Sequence, residues 1–543
     1  MVIDQITVKE KPVITIFTIG DSTMANKSLK NENIERGWGQ MLPELLRDGI
    51  RVSNHAKNGR SSRSFINEGR WSLVLNSLRK GDYVFIQFGH NDEKPSEKLH
   101  TEPGSTFDDN LRRFVREARA KGAIPVLFNS IVRRNFPPTT DTEHQGQYEK
   151  EGKVLVDTHG KYLDSPRNVA KELNVPFIDM ATLTHDWVMN LGVEKSKDYF
   201  MWVPADTYRF CPKGKVDNTH LNINGGRAVA EIAIKAVCEQ VPALRPYVRL
   251  TDEEVRVAKY RDNKQCAISY TFDDGLAEQY TMTAPGLERR GFRGTFALNG
   301  SKLNDGAVTD TTRMTWAQVK ELAERGHELS NHGWAHKNFA RFPIAEIRED
   351  ILKNDSIIEA KTGVRPRSFV YPNNNKKIEG RRIAVRDRVG TRTTEFAIGS
   401  KSSAEDLKRW TDFLMMSGDW GVGMTHGMTY GYDAFGNPER FWKHLDYVKK
   451  HADKIWVGTF QEVAAYEKEY KNIRLDIVKE KSVYKVTPSL DLDKTLFNEP
   501  LTMTVVGKKF TAYQDGQKLS VKKRNGVYAF DFNPYGGTIE IRF

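Results

Sequence analysis

Along the first 240 or so positions, apolar residues fall into short runs separated by stretches with helical spacing. Val13–Ile19, Tyr83–Phe88, Ile124–Phe128 and Val175–Ile178 are β-branched and aromatic runs of strand length. Between them, Phe107–Lys121 and Lys161–Leu173 repeat apolar residues at the spacing of an amphipathic helix. Strands alternating with helices predict a parallel sheet covered on both faces. A last helix is expected from Gly225 to about Gln240. Pro242-Ala243-Leu244-Arg245-Pro246 and the charged run to Lys264 then break the pattern and read as a boundary.

A second alternation follows. Cys266–Thr271, Gly294–Leu298, Glu328–Ser330 and Phe369–Tyr371 read as strand ends, and Trp316–Arg325 and Ile344–Lys361 as helices. Strand Ile455–Val457 and helix Gln461–Tyr470 close it. Repeated βα units of this kind suit a barrel or a doubly wound sheet. Beyond Lys471 the helical spacing stops. Leu501–Val506, Lys518–Lys522, Tyr528–Phe532 and Thr538–Phe543 predict short strands, with turns at Asp515-Gly516, Asn525-Gly526 and Gly536-Gly537. The expected division is an α/β domain over 1–245, a linker over 246–263, a second α/β domain over 264–470 and a small all-β module over 471–543.

Composition narrows the function classes. A chain of 543 residues exceeds one ordinary core, and 38% hydrophobic with 28% charged residues describes a globular protein rather than a disordered one. No apolar run reaches the roughly 20 residues of a membrane-spanning helix. Met1-Val2-Ile3-Asp4-Gln5 has no basic segment leading into an apolar one, so no signal peptide is visible. Cys211, Cys238 and Cys266 form no metal-like cluster and read as packed thiols. The net charge of +12 is compatible with a polyanion, either nucleic acid or an acidic polysaccharide. Lys and Arg alternate with Asp and Glu, however, and no basic stripe is interleaved with aromatics. The charge therefore reads mainly as a solvated surface with a bias toward acidic substrates, and no nucleic-acid partner is expected.

Gly20-Asp21-Ser22-Thr23 follows the first strand. A serine there is more often a helix cap, but three further segments change the reading. Asn58-Gly59-Arg60-Ser61-Ser62 is a glycine turn, Gly89-His90-Asn91-Asp92 follows another strand, and Asp217-Asn218-Thr219-His220 precedes the last helix. Carboxyl ends of strands in open α/β sheets build ligand sites, so these pieces can converge. By residue type, Ser22 attacks, His220 takes its proton and Asp217 orients the imidazole. The backbone N–H groups of Ser22 and Gly59, with the Asn91 amide, suit an oxyanion hole. In this order the four blocks resemble the SGNH (GDSL) hydrolase superfamily. Gly37-Trp38-Gly39-Gln40, Asn58 to Phe65 and Phe88 to Asp92 resemble more narrowly its rhamnogalacturonan acetylesterase branch, over about residues 13–240. The resemblance implies a flavodoxin-like, three-layer fold and hydrolysis of O-acetyl esters, with acetylated pectin as the leading substrate class. Arg60, Arg63 and Arg70 are candidates for binding uronate carboxylates.

In the second half, Thr271-Phe272-Asp273-Asp274-Gly275 puts two carboxylates at a strand end, where they repel unless a cation or proton intervenes. His332-Gly333-Trp334-Ala335-His336 places two imidazoles at i and i+4, which on a helical turn face one way. Asp274, His332 and His336 form a candidate metal set, with zinc the default and other divalent transition metals alternatives. Asp273 is the expected general base and His426, in Met424-Thr425-His426-Gly427, the general acid. With Phe369-Val370-Tyr371-Pro372, these motifs resemble the polysaccharide deacetylase (NodB-homology) family, carbohydrate esterase family 4, over about residues 264–470. That resemblance implies a distorted (β/α)7 barrel that removes N- or O-acetyl groups, with the backbone N–H near Tyr371 polarising the acetyl carbonyl and Trp420 lining the groove. Three departures stand out. Gly333 replaces a Ser or Thr, which is expected to loosen its loop, and Asn373-Asn374 replaces an aromatic-Gly pair. The arginine that holds the base in some members is not identifiable, although Arg365 and Arg367 lie nearby.

The expectation is thus a secreted or periplasmic carbohydrate esterase acting on an acetylated polysaccharide, with a metal in its second domain and none in its first. The alternative is a one-site serine esterase whose second domain binds glycan.

Overall fold

The computed structural model describes residues 13–137, 152–524 and 526–543. The first residues of the chain and Asn525 of one expected turn lie outside them. The chain divides into two compact units, Met1–Leu250 and Thr251–Phe543. Among the described residues no helix is long and apolar enough to cross a membrane.

The first unit is built on five parallel strands in the order Ile50–Asn54, Ile14–Gly20, Tyr83–Gln87, Ile124–Phe128, Phe177–Ile178. This is the doubly wound order of flavodoxin-like folds. Tyr83–Gln87 is buried at every position, as a central strand covered on both faces must be. On one face Phe17, Ile19, Val84 and Ile86 pack with Phe107, Leu111 and Phe114 of helix Thr106–Ala120. On the other, Phe128 meets both Phe85 and Trp38 through tilted ring contacts. Two of the strands not expected from the apolar pattern lie near the site. Ile50–Asn54 forms the sheet edge, and Lys215–Asn222 pairs antiparallel with Phe200–Val203 and Glu35–Arg36. The first is short and the second mostly polar, so both read as loop.

The second unit carries an eight-stranded parallel sheet. Its order is Gly390–Arg392, Ser368–Val370, Glu328–Asn331, Thr295–Leu298, Cys266–Asp273, Trp420–Thr425, Phe396–Ala397, with Ile455–Val457 pairing with the start of Cys266–Asp273. The first and last strands of that order are joined by residues 393–395 alone. Arg392, on one edge, also reaches Asp273 and Thr271 on a central strand, which requires the sheet to curl into an open half-barrel, called the barrel below.

The C-terminal strands form two antiparallel sheets, and the turn at Asp515-Gly516 has both residues at positive φ (52° and 77°), as a tight hairpin needs. The stretch 246–263, expected as a linker, contributes strand Val255–Val257, which pairs with Leu501–Val505. Val255, Trp456, Val463 and Tyr466 share one core with Met503, Phe530, Ile539 and Ile541. Barrel and β-rich region therefore bury a common apolar surface.

Candidate functional sites

The first site forms at the carboxyl ends of the parallel strands. Past Gly20 the chain turns sharply, because Asp21 Oδ1 accepts the Thr23 N–H at 2.9 Å and the Thr23 hydroxyl at 2.8 Å. A Cβ at Gly20 would stand 2.4 Å from the Gln87 carbonyl, so only glycine lets the strands meet here. Ser22 Oγ lies 2.8 Å from His220 Nε2, and His220 Nδ1 lies 2.7 Å from Asp217 Oδ2. The other Asp217 oxygen accepts the backbone N–H groups of Thr219 and His220 at 2.8 and 3.0 Å, folding the strand so that the imidazole faces Ser22. Burial would raise the Asp217 carboxyl, yet these bonds hold it well below the usual carboxylate range.

The glycine turn and Asn91 converge on the same place. Lys57 N–H donates to the Gly20 carbonyl at 3.0 Å, and the Asn91 amide donates to the Arg60 carbonyl at 3.1 Å. Gly59 has φ +73°, the left-handed conformation that favours glycine. Lys94 Nζ donates to Asn91 Oδ1 at 2.7 Å, fixing which side of the amide faces the site. Asp92, next in the motif, is structural: fully buried, it accepts from Ser62 N–H, Ser62 Oγ and Thr101 Oγ1, and burial pushes its carboxyl up to about 7.

The expected arginine cluster is committed elsewhere. Arg60 Nε and Arg70 Nε both bind Glu68, at 3.0 and 2.5 Å, and Arg63 donates to the Glu97 carbonyl. A uronate carboxylate would have to displace these partners.

The second site lies at the mouth of the barrel, in a cavity of about 510 Å³ lined by Asp273, Asp274, His332, His336, Tyr371 and His426, among others. One ligand atom from each of Asp274, His332 and His336 falls within 4.8 Å of the others. Nε2 of His332 and of His336 lie 3.6 and 3.8 Å from Asp274 Oδ1, a buried oxygen with no hydrogen-bond partner. His332 Nδ1 donates to the Val370 carbonyl at 2.8 Å, which leaves Nε2 unprotonated and facing the cluster. Burial holds both imidazoles below the usual histidine range, hence in the neutral form that binds metals. An uncompensated oxygen facing two neutral imidazoles fits a divalent cation.

Two expectations about this loop are corrected. The histidine pair does not sit on a helical turn: it follows strand Glu328–Asn331 in a loop, with Gly333 at φ +77° and His336 at +56°. Nor is the loop loosened by Gly333. Its N–H binds Asn331 Oδ1 at 2.7 Å, its carbonyl accepts from Asn299, and a Cβ would stand 2.4 Å from Asp350 Oδ2.

The arginine left unidentified in the sequence is Arg392. Its Nη1 and Nη2 bind Asp273 Oδ1 and Oδ2 at 2.8 and 2.6 Å, and Nη1 also binds Thr271 Oγ1. Burial would raise the Asp273 carboxyl, but the guanidinium brings it to about 2. Arg365 pairs with Glu359 and Arg367 with the Leu496 carbonyl, so neither serves here. Strand Gly390–Arg392, which carries it, is too short to leave a signal in the apolar pattern. Gln279, also missed, donates its amide to the backbone carbonyls of both Asp273 and His426 at 2.7 Å. Tyr371 turns its buried ring into the core, where its hydroxyl meets Thr391, so only its backbone faces the cavity. Trp420 is not at the site. It begins strand Trp420–Thr425, opposite Ala267, bonds Ser269 Oγ at 3.0 Å and meets the Phe460 ring at a tilt, whereas His426 follows the other end.

Comparison with known proteins agrees with both geometries. The family described as GDSL-like lipase/acylhydrolase matches residues 16–233, and that described as polysaccharide deacetylase matches 260–394. The chain belongs to the GDSL-like lipase/acylhydrolase family through its first unit and carries a polysaccharide deacetylase domain in its second. It is a two-domain carbohydrate esterase, each half related to hydrolases of carbohydrate acetyl groups. The rhamnogalacturonan acetylesterase RhgT of Bacillus subtilis is 38% identical over 229 residues, 42% of this chain and 91% of that protein. The peptidoglycan-N-acetylglucosamine deacetylase PgdA of Listeria monocytogenes is 25% identical over 318 residues, 52% of this chain and 62% of that protein. A family 4 acetyl xylan esterase from Clostridium thermocellum, solved with cobalt, is 21% identical, covering 36% of this chain and 89% of that one at a TM-score of 0.29.

Proposed function

We propose that the chain removes acetyl groups from an acetylated plant polysaccharide, pectin foremost, by a serine mechanism in the first unit and a metal-dependent one in the second. The observation that carries this reading is the pairing of an unbroken Ser22–His220–Asp217 hydrogen-bond line with an Arg392-held Asp273 beside the Asp274/His332/His336 cluster. Ser22 attacks the acetyl carbonyl while His220 takes its proton, and Asp217 stabilises the imidazolium. The Ser22 and Gly59 N–H groups with the Asn91 amide receive the developing oxyanion. The likeness to the rhamnogalacturonan acetylesterase RhgT supports O-acetylated rhamnogalacturonan as the first unit's substrate.

In the second unit Asp274, His332 and His336 hold the metal, zinc by donor type, which supplies Lewis acidity toward the acetyl group. Asp273, ionised against Arg392, takes a proton from the water that adds to the acetyl carbon, His426 gives one to the departing hydroxyl or amine as acetate forms, and the backbone at Tyr371 orients the acetyl carbonyl. A polymeric glycan substrate places the enzyme outside the cytoplasm.

Chelation tests the division. Ser22 and its partners need no ion, so a strong chelator should abolish only part of the acetate released from a panel of acetylated pectins, xylans and N-acetylglucosamine polymers. Ser22→Ala should abolish the complementary part. Equal loss of every activity on chelation would refute two separate chemistries. A folded chain that binds no stoichiometric metal would leave the second unit a glycan-binding module.

A further inference from the structure

Behind the Ser22 line runs a row of alternating charges. Lys215 Nζ stands 3.2 Å from Asp217 Oδ2, the same oxygen that faces His220 Nδ1. Lys215 Nζ also binds Glu35 Oε2 at 2.8 Å, and Glu35 Oε1 binds Lys27 Nζ at 2.8 Å. Lys27 Nζ ends the row on Asn58 Oδ1 at 2.8 Å, immediately before Gly59. Glu35 and Lys215 belong to one antiparallel ribbon, in which Glu35–Arg36 pairs with Leu221–Asn222. The Lys27 side chain is only 3% exposed and that of Glu35 15%, so this pair has been taken largely out of water. Buried ion pairs often cost about as much desolvation as they return in attraction. Stability therefore gives little reason for one here, and its position gives a better one.

We propose that Lys215, Glu35 and Lys27 are positioning residues that set how strongly Asp217 stabilises the His220 imidazolium, and so fix the acidic limit of the first site. The inference rests on the serine chemistry proposed above. Lys215 competes with His220 for one carboxylate oxygen, which disfavours the imidazolium and keeps the imidazole free to accept the Ser22 proton at lower pH. Glu35 partly neutralises Lys215 and opposes that effect. Among the described residues, the other titratable groups coupled to His220 are Asp21, past the first strand, and His90, past Tyr83–Gln87, which burial holds toward its neutral form. Both remain in every variant below.

The test is the pH profile of kcat/KM for 4-nitrophenyl acetate with the full chain, after subtracting the rate of the Ser22→Ala protein. Lys215→Met should move the acidic limb up by about half a unit, and Glu35→Gln should move it down. Lys215→Arg, which keeps the charge, should restore the native limb. A structural role predicts lower rates with unmoved limbs. Limbs that stay fixed, or move together, in folded variants overturn the proposal. If Glu35→Gln fails to fold, the Met and Arg variants at 215 still decide. An undiminished rate in Ser22→Ala would instead refute the underlying serine chemistry, a distinguishable failure.

Discussion

Arg392→Met isolates the interaction that holds the second site's base. Two charge-assisted bonds of 2.6 and 2.8 Å join Arg392 to Asp273, with side chains only 1% and 4% exposed. Methionine keeps much of the volume and removes the charge, which leaves a buried carboxylate uncompensated. Breaking such a pair from one side costs about 3–5 kcal/mol. A second route gives a similar scale: with its carboxyl at about 2 against a reference near 3.9, Asp273 contributes on the order of 2–3 kcal/mol, most of it through Arg392. Because the folded-state value is depressed, that contribution is present above about pH 4 and disappears as pH falls through 2. The difference between wild type and variant should thus be largest at neutral pH and shrink toward pH 2–3. Urea unfolding with chelator present measures it free of metal binding, and amide exchange in strand Cys266–Asp273 localises it. Asp273→Asn in the same chain should recover part of the loss, since the unpaired charge is gone. A cost below about 1 kcal/mol at pH 7, or a cost that does not vary with pH, would refute the buried pairing.

Three further outcomes follow from other parts of the molecule. Asn91→Ala should lower acetate release from the first site by about 10²–10³ without changing stability, as loss of one oxyanion donor does; an unchanged rate would make Asn91 structural only. Glu469, fully buried against the Glu499 N–H, is pushed up to about 8 by burial, so its contribution to stability is full below about pH 4 and is lost as pH rises to 8. Glu469→Gln should therefore gain on wild type in unfolding free energy between pH 5 and 9, and a constant difference would count against this burial. A chain ending at 470 should be insoluble or markedly destabilised, because Trp456, Val463 and Tyr466 lose Met503, Phe530 and Ile541; a soluble truncated protein with native melting would contradict the shared core.

The chemistry-bearing motifs were legible because each is a local string: Gly20 to Thr23, Gly89 to Asp92, Asp217 to His220, Thr271 to Gly275 and His332 to His336. Partners that meet across the fold were not. Arg392 lies 119 positions from Asp273 and belongs to a three-residue strand, too short for any apolar period to reveal. Gln279 joins Asp273 to His426 through two backbone carbonyls, a contact that no side-chain pattern encodes. The strand carrying His220, Lys-Val-Asp-Asn-Thr-His-Leu-Asn, is polar because half of it faces the site, so it reads as loop.

Trp420 shows what strand polarity decides. In a parallel sheet every strand points the same way, so position within a strand fixes which end of the barrel a residue occupies. Strand Trp420–Thr425 spans roughly 17 Å at about 3.3 Å per residue, enough to separate a residue at its start from a cavity at its end. Ser22 and Asn91 follow the ends of their strands, and Asp273, Asp274, His332, Tyr371, Arg392 and His426 end or follow theirs. Trp420 starts one, a strand that only the structure reveals. Aromatic character made it a plausible glycan contact, but direction along the strand assigned it to the opposite end, where it packs against Phe460 in the core. For parallel α/β sites, the place of a residue in its strand is therefore a stronger guide than its chemical type, and it separates these six residues of the second site from the one that does not belong.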